Sequence, residues 1–152
     1  MKNLIVVSFV LFLVSCGANT PYETFRKENK EEISMSFGVS SFIINSLVWD
    51  KDFRDFRKQI SGIKKYNVLV SKSNAAFIKS NFDAFLKQNN FEEIVSTAKG
   101  NEKVRIFSFE KGEQLKEVLV EIENDSQVVL VKVQGNLKIN DFQKLVAFNE
   151  VN

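Results

Sequence analysis

Hydrophobic and polar positions change period several times along the chain, and each change marks an element. Leu4 to Val14 is apolar except for Ser8. At roughly half the ~20 residues a helix needs to cross a bilayer, this run has the length of a secretory signal core. Tyr22 to Glu32 is charged and lightly amphipathic, which predicts a first helix. Ile33, Met35, Phe37 and Val39 alternate with small or polar residues, the period of a half-buried strand. Ser40 or Ser41 then caps a predicted helix through Val48, apolar at Phe42, Ile43, Ile44, Leu47 and Val48. Phe53, Phe56, Ile60 and Ile63 recur at spacings of three and four, predicting another helix that Ser61-Gly62 ends.

A strand follows at residues 64–71, with Tyr66, Val68 and Val70 on one face. Ser73 or Asn74 opens the strongest helical pattern, reaching Gln88 with a stripe of Ala75, Ile78, Phe82, Phe85 and Leu86; Asn89-Asn90 stops it. Residues 91–98, 104–110, 115–123 and 128–134 then read as four strands. Short hairpin connections at Gly100-Asn101, Lys111-Gly112 and Asn124-Asp125-Ser126 separate them. In the third of these strands Val118, Val120 and Ile122 are expected inside, with Glu117, Glu121 and Glu123 outside. The fourth has Val129, Val131 and Val133 on one face and Val128 and Leu130 on the other, so it is expected to be central or covered on both sides. A closing helix begins at Asn140 with Gln143 as a capping-box analogue and Phe142, Leu145 and Val146 as its stripe. The expected fold is α+β: a single two-layer domain over residues 25–150, with a mainly antiparallel sheet of about six strands. Its last four strands form a meander, and three to four helices pack with the sheet.

The start of the chain resembles a bacterial lipoprotein signal. Lys2 supplies the positive start, and Leu13-Val14-Ser15-Cys16 resembles the processing motif in which the Cys sulfur is acylated. The resemblance implies a signal peptide over residues 1–15, cleavage between Ser15 and Cys16, and lipid attachment at Cys16. One acyl chain binds a membrane marginally, and two or three make detachment negligible. Residues 16–24 follow as lipidated Cys and tether, with Gly17-Ala18-Asn19-Thr20-Pro21 small, polar and kinked once. Gly17 stands where an Asp would resemble an inner-membrane retention signal, and no acidic cluster resembling a surface-export tag follows. The expected location is the cell envelope, on the outer membrane facing the periplasm.

Composition removes several function classes. The sequence contains no His and a single Cys, so a disulfide framework is excluded. With Cys16 acylated there is no Ser-His or Cys-His nucleophile pair, no imidazole acid/base group and no zinc site of the usual ligands. No cofactor and no metal are expected. The Asp50, Asp52 and Asp55 cluster invites a calcium loop, but Arg54 and Asp55 occupy positions five and six, where the template needs an acceptor and a Gly. Local pairs Lys51–Asp55 and Asp55–Lys58 on a solvated helix face account for it better. A formal net charge of +2, without a clustered basic face, argues against nucleic acid. Glu92-Glu93 and Glu121/Glu123 are the carboxylate pairs worth weighing as acid/base dyads. The first two point to opposite faces of a strand, and the second two share a face expected to be exposed, where no pKa tuning arises.

Three stretches carry a further resemblance: Ile60-Ser61-Gly62-Ile63-Lys64-Lys65-Tyr66, Leu115-Lys116-Glu117-Val118-Leu119-Val120 and Gly135-Asn136-Leu137-Lys138-Ile139-Asn140-Asp141-Phe142. Together with the signal they resemble a lipoprotein family of Bacteroidota known as a domain of unknown function, DUF4252. That resemblance implies an envelope lipoprotein with an α+β domain and brings no activity, ligand or catalytic residue. The expected function is a non-enzymatic, membrane-anchored domain that binds an envelope protein or a small ligand in the periplasm. One alternative is a carrier with a hydrophobic pocket between sheet and helices. The other is a hydrolase working through two converging carboxylates.

Overall fold

The computed structural model describes residues 20–43, 58, 60–111 and 114–139. Helix α1 (Pro21–Glu28) opens the fold, with the Thr20 hydroxyl accepting from the Glu23 N–H and Pro21 in the first turn, where its missing donor costs nothing. Tyr22 and Phe25 of α1 are buried, so residues 21–24, read in the sequence as the end of the tether, belong to the helical layer. A single 3₁₀ turn (Lys30–Glu32) leads to strand β1 (Met35–Ser40). Strand β2 (Ile60–Ser71), helix α2 (Ala75–Gln88) and strands β3 (Glu92–Lys99), β4 (Glu102–Lys111), β5 (Gln114–Asn124) and β6 (Gln127–Ile139) follow among the described residues.

The fold is α+β, built on one six-stranded antiparallel sheet in the order β1-β2-β6-β5-β4-β3. Strand β6 lies in the middle because it carries apolar residues on both faces. One face packs under the helices: Leu69, Phe107, Leu119, Val128 and Leu130 meet Tyr22, Phe25, Ile78, Phe82, Phe85 and Leu86. Its aromatic rings fill that space, with Phe25 5.2 Å from Phe85, Phe82 6.0 Å from Phe107 and Phe85 5.5 Å from Phe91. Burying each such ring contributes roughly 1.5–3 kcal/mol. The other face holds Ile60, Tyr66, Val95, Ile106, Val118, Val133 and Leu137, all from strands. Among the described residues no helix is long and apolar enough to cross a membrane.

Two expectations change here for one physical reason. Ile60 and Ile63, read as the end of a helical stripe, lie in β2. The β2–β6 ladder shifts register between Ser61 and Ile63 and again between Ile63 and Lys65. These bulges put Ile60, Ile63 and Tyr66 in one apolar cluster at spacings of three, which imitates helical periodicity. Strand β6 likewise runs beyond Gln134 to Ile139, because Gly135 bends it around the same irregularity and Leu137 rejoins the core. Gly62 (φ 81°) and Gly135 (φ 154°) make the crossing possible: a Cβ on Gly62 would lie 1.9 Å from the Asn136 carbonyl oxygen. The aspartates at 50, 52 and 55, residues 44–48, the stripe at 53 and 56, and the closing helix from Asn140 lie outside the described residues.

Candidate functional site

Strand β5 carries Glu117, Leu119 and Glu121 on the face beneath the helices, the reverse of the exposed placement expected for the glutamates. Glu117 is 7 % exposed and Glu121 1 %. Each carboxylate is tolerated because a cation stands beside it in the ladder. Arg105 lies directly opposite Glu121 in the register, and its Nε donates to the Glu121 carboxylate. Its Nη2 donates to Asp83 Oδ1 of α2 at 2.7 Å, and Nη1 stands 3.8 Å from Glu93. The guanidinium also covers the Phe107 ring at 5.1 Å. Lys79 completes the edge of the cluster, 3.2 Å from Asp83 and 3.9 Å from Glu123.

A second ion pair lies one ladder position away. Lys132 of β6 sits opposite Leu119, 3.4 Å from Glu117, and donates to the Thr20 hydroxyl at 2.8 Å. Its ammonium lies 5.4 Å from the centre of the Tyr22 ring, so the start of α1 is fixed to the sheet through this lysine. Burial pushes the Glu117 carboxyl up, with Lys132 opposing. Burial also raises the Tyr22 hydroxyl, helped by the charges of Glu23 and Glu117. For Asp83, burial works toward a higher value, but hydrogen bonds from Arg105 and Lys79 outweigh it and hold the carboxyl below its ordinary range.

The two candidate dyads therefore do different things from those weighed in the sequence. Glu121 is locked to Arg105 while Glu123 turns toward Lys79, and Glu92 and Glu93 lie exposed on the edge strand β3, with Glu93 leaning to Arg105. Asp83, Glu93 and Glu121 converge, but on a guanidinium between them, which suits holding α2 to the sheet. Arg105, Lys132 and Asp83 escaped the sequence reading. The available signal was Lys132 itself, a lysine within the apolar run Val128–Val133, which requires a buried partner.

A groove of about 890 Å³ lies between α1 and α2, lined in part by Phe25, Phe77, Phe85, Asn29, Asn81 and Asn89. Its amides already serve the helices. Asn29 and Asn89 donate to the Phe25 and Phe85 carbonyls at 2.8 and 2.9 Å, and Asn81 donates to Asn29 at 2.7 Å. The groove lies between the two helices; the space between helices and sheet, where the alternative carrier reading put its pocket, is packed with phenylalanine among the described residues.

The remaining feature is the sheet's other face and its β1 edge. Pairing aligns one row across all six strands, Met35, Val70, Val129, Ile122, Val104 and Thr97, and none of these is fully buried. The next row is Phe37, Val68, Val131, Val120, Ile106 and Val95, buried only at its β4–β3 end. Met35 is 55 % and Phe37 44 % exposed, where a half-buried strand was expected, and Phe42 and Ile43 just beyond β1 are 78 % and 47 % exposed. Ser15 and Cys16 lie outside the described residues.

These features define an α+β domain whose helices are clamped by buried ion pairs and whose sheet ends in an apolar, uncharged edge. The chain belongs to the family described as a domain of unknown function (DUF4252), which it matches over residues 22–145. None of the curated proteins and none of the solved structures compared with it matches.

Proposed function

We propose that this chain is a non-enzymatic envelope lipoprotein, held by acyl groups on Cys16 to the outer membrane on its periplasmic side, whose domain binds another protein through the β1 edge. The observation that carries the binding role is the pair of exposed apolar side chains at Met35 and Phe37, continuous with the half-exposed valines of β2 and β6. Exposed apolar surface gathered in one place marks a contact site more often than scattered residues do. The non-enzymatic part is supported by a sequence without His and by carboxylates drawn to Arg105 and Lys132.

The test is crosslinking in intact envelopes, comparing wild type with Cys16→Ala and Phe37→Lys, alongside mass spectrometry of the processed N-terminus. The reading expects fatty acid on Cys16, and a protein partner that needs both the anchor and Phe37. An N-terminus free of lipid removes the anchor from the proposal, and a partner set indifferent to Phe37→Lys removes the contact surface.

A further inference from the structure

The two edges of the sheet are built differently. Strand β3 is guarded by Glu92 and Glu93 and by a register shift between Glu93 and Val95, devices that discourage pairing with another strand. Strand β1, Met-Ser-Phe-Gly-Val-Ser, has no charge, no proline and no register shift against β2. Its outer backbone groups are unpaired among the described residues, and its side chains are exposed apart from half-buried Val39. The Lys65 ammonium lies over Gly38 on the side of the strand opposite Met35 and Phe37.

We infer that the partner of this edge is a second copy of the same chain, joined by antiparallel pairing of the two β1 strands about a two-fold axis at Phe37. The inference rests on reading the β1 run as a contact surface, and it names the occupant.

Two observations select a second copy. Antiparallel partners keep their side chains on a shared face, so a two-fold axis at Phe37 sets Phe37 against Phe37, Met35 against Val39, and Ser36 against Gly38. Apolar meets apolar, and small meets small. The apolar rows of one sheet then continue directly into the other, carrying the half-exposed face across both copies.

Phe37→Cys in the full-length chain, extracted in detergent and oxidised, tests the axis. A residue on the axis meets its own copy at a Cα separation of about 4.5–5.5 Å, within reach of a disulfide. The expected result is a linked dimer on a non-reducing gel, absent from wild type and from Ser96→Cys on the β3 edge. The native mass of wild type should be that of two chains, and Phe37→Lys, which sets like charges face to face, should return it to one. A single-chain mass for wild type, or a folded Phe37→Cys protein that does not link, overturns the inference; so does a dimer indifferent to Phe37→Lys. Should Phe37→Lys fail to fold, the Phe37→Cys link decides. A monomer whose Phe37 crosslinks to a different envelope protein refutes the second copy and leaves the contact-surface reading standing.

Discussion

Arg105 and Glu121 face each other across β4 and β5, and the guanidinium Nε donates to a carboxylate that is almost wholly removed from solvent. The same guanidinium reaches up to Asp83 on α2, so one side chain ties two strands and a helix together. Removing it strands a buried charge. Arg105→Met should cost about 3–5 kcal/mol in denaturant unfolding, whereas the double replacement Arg105→Met with Glu121→Leu should recover most of the loss. Equal costs for the single and double replacements would show that shape, not the unpaired charge, sets the penalty.

The carboxyls in the two ion pairs should give opposite pH dependences. Asp83 titrates below its ordinary 3.8 in the folded protein, so its contribution is present above that value and is lost as pH falls through the folded value. Glu117 is raised above its ordinary 4.5, so its contribution is full below 4.5 and is lost as pH rises through the higher folded value. Urea midpoints measured across the acid range should therefore lose their low-pH decline in part with Asp83→Asn. With Glu117→Gln they should lose part of the decline that sets in above 4.5.

Phe82 and Phe37 separate core from surface. Phe82 is 0 % exposed amid the ring stack, and Phe82→Ala should destabilise the protein by about 3–5 kcal/mol. Phe37→Ala should change the unfolding free energy of the monomer by no more than about 0.5 kcal/mol, because the side chain stands largely in solvent. A large thermal shift for Phe37→Ala at low protein concentration would mean that Phe37 supports the fold of the single chain.

The glycine crossing of β2 and β6 is a third point of control. At Gly135 a Cβ would lie 2.0 Å from the Gly62 carbonyl oxygen, a contact that backbone alone must relieve. Gly62→Ala and Gly135→Ala should each cost more than about 1 kcal/mol, and the pair less than the sum because both clashes fall on one crossing that a single backbone shift relieves. Additive costs in chemical denaturation would show two independent strains.

The alternation of β2, β5 and β6, the stripe of α2 and the stop at Asn89-Asn90 were legible in the sequence because each depends on local period and local capping. The β2–β6 bulges were not. A register shift is made by the partner strand, and in one dimension it turned Ile60, Ile63 and Tyr66 into a helical spacing. The glutamates of β5 were also misread: Val118 is buried as expected, but alternation marks two faces without saying that both are covered.

The sequence by itself determined the class of the domain, the edges of most of its described strands, the helix over residues 75–88 and the family resemblance, all of which follow from pattern between chain neighbours. Only the tertiary structure decided that Glu117 and Glu121 go inward while Met35 and Phe37 stay in solvent. The reason is physical: a carboxylate can be buried when a cation such as Arg105 or Lys132 waits across the ladder, and that cation comes from a distant strand. An apolar strand at the edge of a sheet is left exposed for the complementary reason, that among the described residues no element covers it.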